Sequence, residues 1–533
     1  MSKINEITNQ LMWNRLLSVV EEQGQTLVRT AFSPIVRECG DISAGIFDLK
    51  GRMMAQAVTG TPGHVNSMAE SVKHFMRFFS IQDMNEGDIY ITNDPWMGTG
   101  HLNDFVLTTP CFKNNKIVGL FSCTSHLTDI GGIGTGPDAT DVHMEGIYIP
   151  MLKLADKGKM NKTLLSMIRQ NTRQPVETEG DVYSLAACND VGCLRLNDMM
   201  KEFEINDLSQ LSNFIYTKSV NAVKKEIKKI PNGVYKNSMK VDGFEKPVTL
   251  NATLTVKEDK IFMDYNGTSQ KSQYGINVPL SYTRAYTGFG LSCLISPEVP
   301  NNAGSLSPYD INAPEGTILN AKYPASVCAR HIIGQMLPDV VFGCLEKAIP
   351  DLVPAEGASC LWNLTFRGQQ KDNKSIFAIT AVTNGGTGAR PSKDGLSATA
   401  YPSGVKGTPV EINEAVAPLL FLKKEFKTGS GGKGKFRGGD GQIIEIKSSL
   451  GKDMEILAAY DRIKFPPRGR KGGENGKPGL IKIKNGRKLN GKGTQPIKGD
   501  EILVVETPGG GGYGLFKKRS KDLLNQDKEN ELI

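Results

Sequence analysis

No hydrophobic run in this 533-residue sequence approaches the ~18 apolar residues that a membrane-spanning helix needs. The opening stretch, MSKINEITNQLMWNRLLSVVEEQ, has acidic residues early and no small-residue cleavage site. It reads as an amphipathic helix rather than a signal peptide, and the expectation is a cytoplasmic protein with no membrane partner. Cysteine is equally uninformative as a framework: there are nine, an odd number, and no two form C-x-x-C. Most stand among apolar neighbours, as in GLFSCTS and VFGCLEKA. That excludes a disulfide scaffold or a zinc–cysteine site and fits reduced, buried thiols.

Several catalytic signatures are missing too. There is no G-x-S-x-G elbow and no H-E-x-x-H. Cys123 lies three residues before His126, but in a strand pattern those side chains point to opposite faces. Three glycine stretches resemble nucleotide loops without completing one. Gly429-x4-Gly434-Lys435 is followed by Phe436, where a P-loop needs Ser or Thr for magnesium. GRKLNGKG has Gly493 in that place. GGGGYG (509–514) follows a strand pattern, yet fewer than twenty residues remain, too few for a dinucleotide-binding unit. The glycines read instead as tight turns and close backbone packing, and the chain is not expected to bind ATP unaided.

Charge is unevenly placed. The net value is +8, yet Lys464–Lys492 holds ten Lys/Arg against the single acid Glu474. Phe465 is the only aromatic there, whereas a nucleic-acid surface interleaves stacking aromatics with its cations. The stretch reads as a solvated loop face or a contact for an anionic partner, with no nucleic acid expected.

What is present is a globular composition, 39% hydrophobic and 23% charged, able to form a packed core. The pattern predicts an α+β, multi-domain chain of mixed helices and largely antiparallel sheets with a β-rich C-terminal region. Residues 1–215 read as an α+β unit. It has a first helix over ~5–32, a hairpin over 41–56, a helix over 66–79 and strands through 87–126 with Asn-Asn at a turn. Residues 216–416 read as a central β-meander plus helices. Residues 417–517 form the glycine-rich β region, and 518–533 a frayed polar tail.

There are six histidines. His74 sits in a helical pattern, His64 follows Thr-Pro-Gly in a loop, and His331 opens a helix. The other three, His101, His126 and His143, share one window with Asp94, Asp104, Asp129, Asp138, Asp141 and Glu145. Two of them head near-identical tetrapeptides, HLND (101–104) and HLTD (126–129). Imidazole with carboxylate is the ligand set for zinc, manganese or iron(II). The structural alternative is a pair of loops whose aspartates cap turns.

The surrounding blocks run in order as RTAFSPIVRECGDISAGIFD (29–48), GDIYITNDPWMGTGHLNDFVLTTP (87–110), SHLTDIGG (125–132), EGIYIP (145–150), NGGTGARPSKDG (384–395) and TPGGGGYG (507–514). Together they resemble the hydantoinase B/oxoprolinase family. The usual His-x-Gly-Ser of that family reads His64-Val65-Asn66-Ser67 here. The resemblance implies a metal held by Asp41, His101, Asp104 and His126, one divalent zinc, manganese or iron ion. It leaves Asp129 as an outer or structural carboxylate and makes Glu145 a candidate for proton handling or support of the ligands. It also implies a hydantoinase A-type ATPase partner that uses the ATP and phosphorylates the substrate's carbonyl oxygen. The activity implied is ATP-dependent hydrolysis of a cyclic amide such as a hydantoin, 5-oxoproline or a lactam. The alternatives are a ketone carboxylase of the acetone or acetophenone type, and a non-catalytic scaffold for the ATPase.

Overall fold

The computed structural model describes residues 3–58, 60–372 and 375–532. The first unit is built from α1 (Lys3–Thr30), α2 (Pro34–Arg37), β1 (Ile42–Phe47), β2 (Met53–Gln56), α3 (Pro62–Phe78), β3 (Ile89–Thr92), β4 (Asp104–Lys113), β5 (Lys116–His126), β6 (Leu152–Asp156), β7 (Lys159–Met160), α4 (Lys162–Asn171), α5 (Pro175–Glu202) and α6 (Ser209–Ile227). Its strands form one antiparallel sheet in the order β2-β1-β5-β4-β3-β6-β7. Ile46, Cys111 and Phe121 pack against residues of α1, while the next residues along, Phe47 and Leu120, pack against α3. Alternate side chains thus enter separate cores on the two faces. Covered on both sides, β4 and β5 read as near-continuous apolar runs rather than strict alternation.

Local chemistry sets the turns. Asp48 Oδ1 accepts the N–H groups of Lys50 and Arg52, both at 2.9 Å, in the β1–β2 hairpin. Asn114 and Asn115 hold φ of +50° and +61° between β4 and β5, the conformation such two-residue hairpin turns require. Helix α3 starts four residues before the expected position, because Pro62 is preorganised for a first helical turn. His64, expected in a loop, therefore stands in that turn.

The second unit opens on the meander β8 (Gly233–Val241), β9 (Val248–Lys257) and β10 (Lys260–Asp264). It continues through α7 (Leu280–Ile295) and α8 (Ala303–Leu306) to β11 (Tyr309–Asn312), which joins β10 in parallel. Then come α9 (His331–Gly334), α10 (Leu337–Leu345), β12 (Trp362–Gln369), β13 (Ile376–Thr383) and α11 (Val410–Val416). The chain ends with β14 (Leu419–Phe426), β15 (Gln442–Ser448), β16 (Met454–Ala459), β17 (Leu480–Ile483), β18 (Lys492–Ile497), β19 (Leu503–Glu506) and α12 (Lys521–Glu529). The sheet β13-β12-β16-β18 takes two strands from each side of residue 416, and β14-β15-β19-β17 forms a fourth sheet. Among the described residues no helix is long and apolar enough to cross a membrane.

The glycine stretches serve the close backbone packing expected of them. Segments around 385–389, 430–441, 467–477 and 508–514 lie side by side and exchange backbone hydrogen bonds. Gly510 N donates to Gly439 O, Gly511 N to Glu356 O and Gly512 N to Glu474 O, at 2.8–2.9 Å. With those donors taken, GGGGYG has no N–H groups left to cradle a phosphate.

The C-terminal tail departs from its expected fraying. Arg519 is buried and pairs with Asp394 at 2.8 Å and Asp527 at 2.7 Å, anchoring α12 rather than leaving it frayed. Arg519→Ala should cost about 3 kcal/mol, because it leaves the buried Asp527 carboxylate without its closest cation. A thermal melt identical to that of the unaltered protein would show that the tail contributes nothing.

Candidate metal centre

Asp104 opens β4 and His126 closes β5, and the antiparallel register sets them directly opposite each other. Asp41 precedes β1, whose Ile42 pairs with Ser125, and its carbonyl accepts the His126 N–H at 3.2 Å. Three of the expected residues thus reach the same end of three adjacent strands. His101 comes from the turn before β4, where Gly100 at φ +98° bends the chain. A Cβ at Gly100 would lie 2.6 Å from the Arg330 side chain, so only glycine fits.

Three side chains converge directly. His101 Nε2 lies 2.7 Å from Asp104 Oδ1, and His126 Nδ1 lies 3.2 Å from the same oxygen and 3.3 Å from His101 Nε2. All three are buried. His101 Nδ1 lies 2.8 Å from the Cys328 carbonyl. A carbonyl only accepts, so Nδ1 carries the proton and Nε2 presents its lone pair. Burial, reinforced by the Arg330 charge, lowers the His101 pKa to about 4, so the ring is neutral near pH 7. A nitrogen lone pair then faces a carboxylate oxygen at 2.7 Å, which is repulsive unless a cation sits between them. The donor set fits a divalent transition metal.

The second oxygen of Asp104 is held by partners the sequence did not single out. Thr99 Oγ1 donates at 2.8 Å, Arg330 Nη2 at 2.5 Å, and His64 Nε2 lies 3.0 Å away. Burial alone would raise the Asp104 pKa, but the adjoining His64 and Arg330 cations hold it well below the usual carboxylate range. Arg330 also donates to the Thr99 carbonyl and stacks 4.0 Å from the Tyr282 ring centre. Asp41 joins one step out. Its Oδ1 accepts from Thr61 Oγ1 at 3.0 Å and lies 3.5 Å from His64 Nδ1, so His64 bridges the two aspartates. Burial would lower the His64 pKa, but the two carboxylates more than offset it and the net shift is upward. Thr-Pro-Gly-His at a helix start was the available signal for His64. For Arg330 it was the Cys-Ala-Arg-His run opening α9.

The remaining candidates have other partners. The Asp129 carboxylate accepts from Arg173 Nη1 at 2.6 Å and from the Gly131 N–H at 3.3 Å, anchoring the loop to the start of α5. Asp94 and Asp141 cap turns, accepting the N–H groups of Trp96 and His143 at 2.8 and 2.9 Å, as the turn-capping reading anticipates for them. His143 bonds Tyr323 at the surface, 3.0 Å away. Glu145 Oε1 accepts from Ser326 Oγ and the N–H of Val327, both at 2.6 Å, and from the N–H of Cys328 at 3.0 Å. It thereby fixes the loop whose Cys328 carbonyl orients His101. The nine cysteines are all unpaired, and burial pushes the Cys123 thiol well above its usual range, leaving no thiolate nucleophile there.

Glu145 Oε2 makes no hydrogen bond. Burial, only partly opposed by the three donors on Oε1, raises the carboxyl from 4.5 to about 7. A group with a raised folded-state pKa contributes stability that is fully present below 4.5 and is lost as pH rises through about 7. The difference is about 3 kcal/mol. Comparing Glu145→Gln with the unaltered protein, the latter should lose more stability between pH 5 and 8 in paired melting curves. Parallel curves would rule this out.

The sequence profile of the hydantoinase B/oxoprolinase family matches residues 5–515. The chain belongs to that family. Among family relatives, a Pseudomonas sp. protein named as the B-type component of a D-/L-hydantoinase is 28% identical, the match covering 99% of this chain and 93% of the relative. The fold of this hydantoinase B/oxoprolinase member is shared with an ATP-dependent caprolactamase from Pseudomonas jessenii. That likeness has a TM-score of 0.90 at 24% identity over 99% of this chain and 94% of the other. An acetone carboxylase shares it at TM-score 0.85 and 18% identity, over 98% of this chain and 78% of the other. At such identities the two structures speak to fold alone.

Proposed function

We propose that this chain is the metal-dependent catalytic subunit of an ATP-dependent cyclic-amide hydrolase. It opens a hydantoin, 5-oxoproline or lactam ring together with a hydantoinase A-type ATPase subunit. The observation that carries the reading is the lone pair of His101 Nε2 facing Asp104 Oδ1 at 2.7 Å with His126 Nδ1 beside both. His101, Asp104 and His126 hold the cation, and Asp41 supports them from one step out through His64. Family membership and the hydantoinase-named relative support the amide substrate class.

A ring amide resists hydrolysis because its nitrogen donates into the carbonyl, and a phosphoryl group on that oxygen makes the carbon electrophilic. When bound, a divalent transition metal supplies Lewis acidity and lowers the pKa of water. The protein side keeps the donors ready. The Cys328 carbonyl fixes the His101 tautomer, and Glu145 fixes the Cys328 loop. Arg330, Thr99 and His64 lock the Asp104 carboxylate so that Oδ1 faces the imidazoles.

The test is reconstitution with the co-purifying ATPase, supplying hydantoin, 5-oxoproline or caprolactam with ATP. Expected products are the ring-opened amino acid, ADP and phosphate. A second reading, ketone carboxylation at the same centre, is favoured only by the fold shared with the acetone carboxylase. Labelled bicarbonate entering an organic acid would establish it instead. Activity with less than about a tenth of an equivalent of bound transition metal would point to the scaffold role.

A further inference from the structure

Arg330 is a cation placed where burial is costly. Its side chain is 2% exposed, and a guanidinium taken out of water must have its charge and donors compensated. Two of its edges are used in hydrogen bonds. Nε donates to the Thr99 carbonyl and Nη2 to Asp104 Oδ2. Its flat face is covered by Tyr282, whose ring centre lies 4.0 Å from Cζ. An aromatic face attracts such a cation most strongly when both are desolvated.

Tyr282 stands in the first turn of α7, far along the chain from the metal-centre strands. It is buried, and backbone closes on it from several sides. A Cβ at Gly334 would lie 2.5 Å from its Cε1, and one at Gly63 would lie 2.7 Å from its Cε2. A Cβ at Gly100 would lie 3.2 Å from its own Cβ. Gly63 precedes His64 and Gly100 precedes His101. Gly334 closes α9, the helix that Arg330 opens. Tyr282 is thus seated against each segment that delivers His64, His101 or Arg330 to Asp104.

An aromatic face in that place has a chemical consequence. An oxygen acceptor there would compete with Asp104 for the Arg330 N–H groups. The ring attracts the charge from above the guanidinium plane and leaves the in-plane N–H groups to Thr99 and Asp104. With Oδ2 held, Oδ1 is free to face His101 and His126, 2.7 and 3.2 Å away.

We propose that Tyr282 is a positioning residue of the metal centre, acting through Arg330 to hold the Asp104 carboxylate in its metal-binding orientation. The ring face does this and the hydroxyl does not. This role rests on the metal centre of the hydrolase reading.

Zinc affinity of the full chain, without ATPase or substrate, is measured by competition with a chromophoric chelator. Tyr282→Phe keeps the ring and should bind zinc within about twofold of the unaltered protein. Tyr282→Leu keeps apolar bulk but loses the ring, and should weaken zinc binding at least about tenfold. In an Arg330→Met background the same Tyr282→Leu change should shift the affinity by less than about twofold, since the residue it acts through is gone. Should the double variant fail to fold, the cobalt-substituted protein decides. Its visible bands should shift in Tyr282→Leu and stay in place in Tyr282→Phe. Unchanged affinity or unshifted bands in Tyr282→Leu, an equal loss in Tyr282→Phe, or the same loss with and without Arg330 would overturn the proposal alone. Absence of zinc binding by the unaltered protein would overturn the metal-dependent reading and this role with it.

Discussion

Asp104→Asn is expected to abolish ATP-dependent ring opening, by at least about 10³-fold in kcat/KM, and to lower bound metal at least about tenfold. It should also destabilise the fold. Asp104 is fully buried and its Oδ2 compensates Arg330, whose side chain is 2% exposed. Removing one partner of a buried pair costs about 3–5 kcal/mol, because the other charge is left unpaired. The two losses separate in a double variant. Arg330→Met added to Asp104→Asn removes the orphaned charge and should recover part of the melting temperature without recovering metal or activity. If the double variant regained ring opening, Asp104 would be acting only through fold stability. Full turnover by metal-free Asp104→Asn protein would sink the metal-centre assignment itself. Basal ATP hydrolysis by the partner should persist in every case.

Gly510→Ala should give the largest loss of stability, above about 4 kcal/mol or no soluble protein at all. A Cβ there would sit 1.9 Å from the Thr387 carbonyl oxygen and 2.3 Å from its carbon. These are backbone atoms that no rotamer change can move. Gly439 is equivalent, with the Leu396 oxygen 2.0 Å from the added carbon. The control is Gly288→Ala inside α7, where the nearest atom is Leu306 Cδ2 at 3.5 Å. There the helix preference for alanine should yield a neutral change or a gain of about 0.5–1 kcal/mol. Chemical denaturation of the three proteins side by side decides the matter, and a soluble, near-native Gly510→Ala would refute the packing account.

Local chemistry in the sequence was enough for much of the fold. Asn-Asn marked the β4–β5 hairpin, and the pattern of the central region marked the meander. It was weaker where distant segments meet. The glycine runs read in isolation as turns or close packing, and the backbone that fills the space around Gly510 comes from residues near 387, 432 and 439. The polar tail looks frayed until Asp394, more than a hundred positions earlier, is seen to pair with Arg519.

The same division runs through the candidate metal centre. HLND and HLTD are near twins in sequence, and their residue types left open a shared imidazole–carboxylate site or a pair of turn-capping loops. Which atoms converge was decided by β-sheet register, which places Asp104 opposite His126. Asp129, the counterpart of Asp104, instead runs past the strand end to Arg173. His64, Arg330 and the Cys328 carbonyl enter from a helix start and a loop far along the chain. Their effect on Asp104 and His101 is electrostatic and depends on separation in space, a quantity that sequence spacing encodes only within a turn or a hairpin.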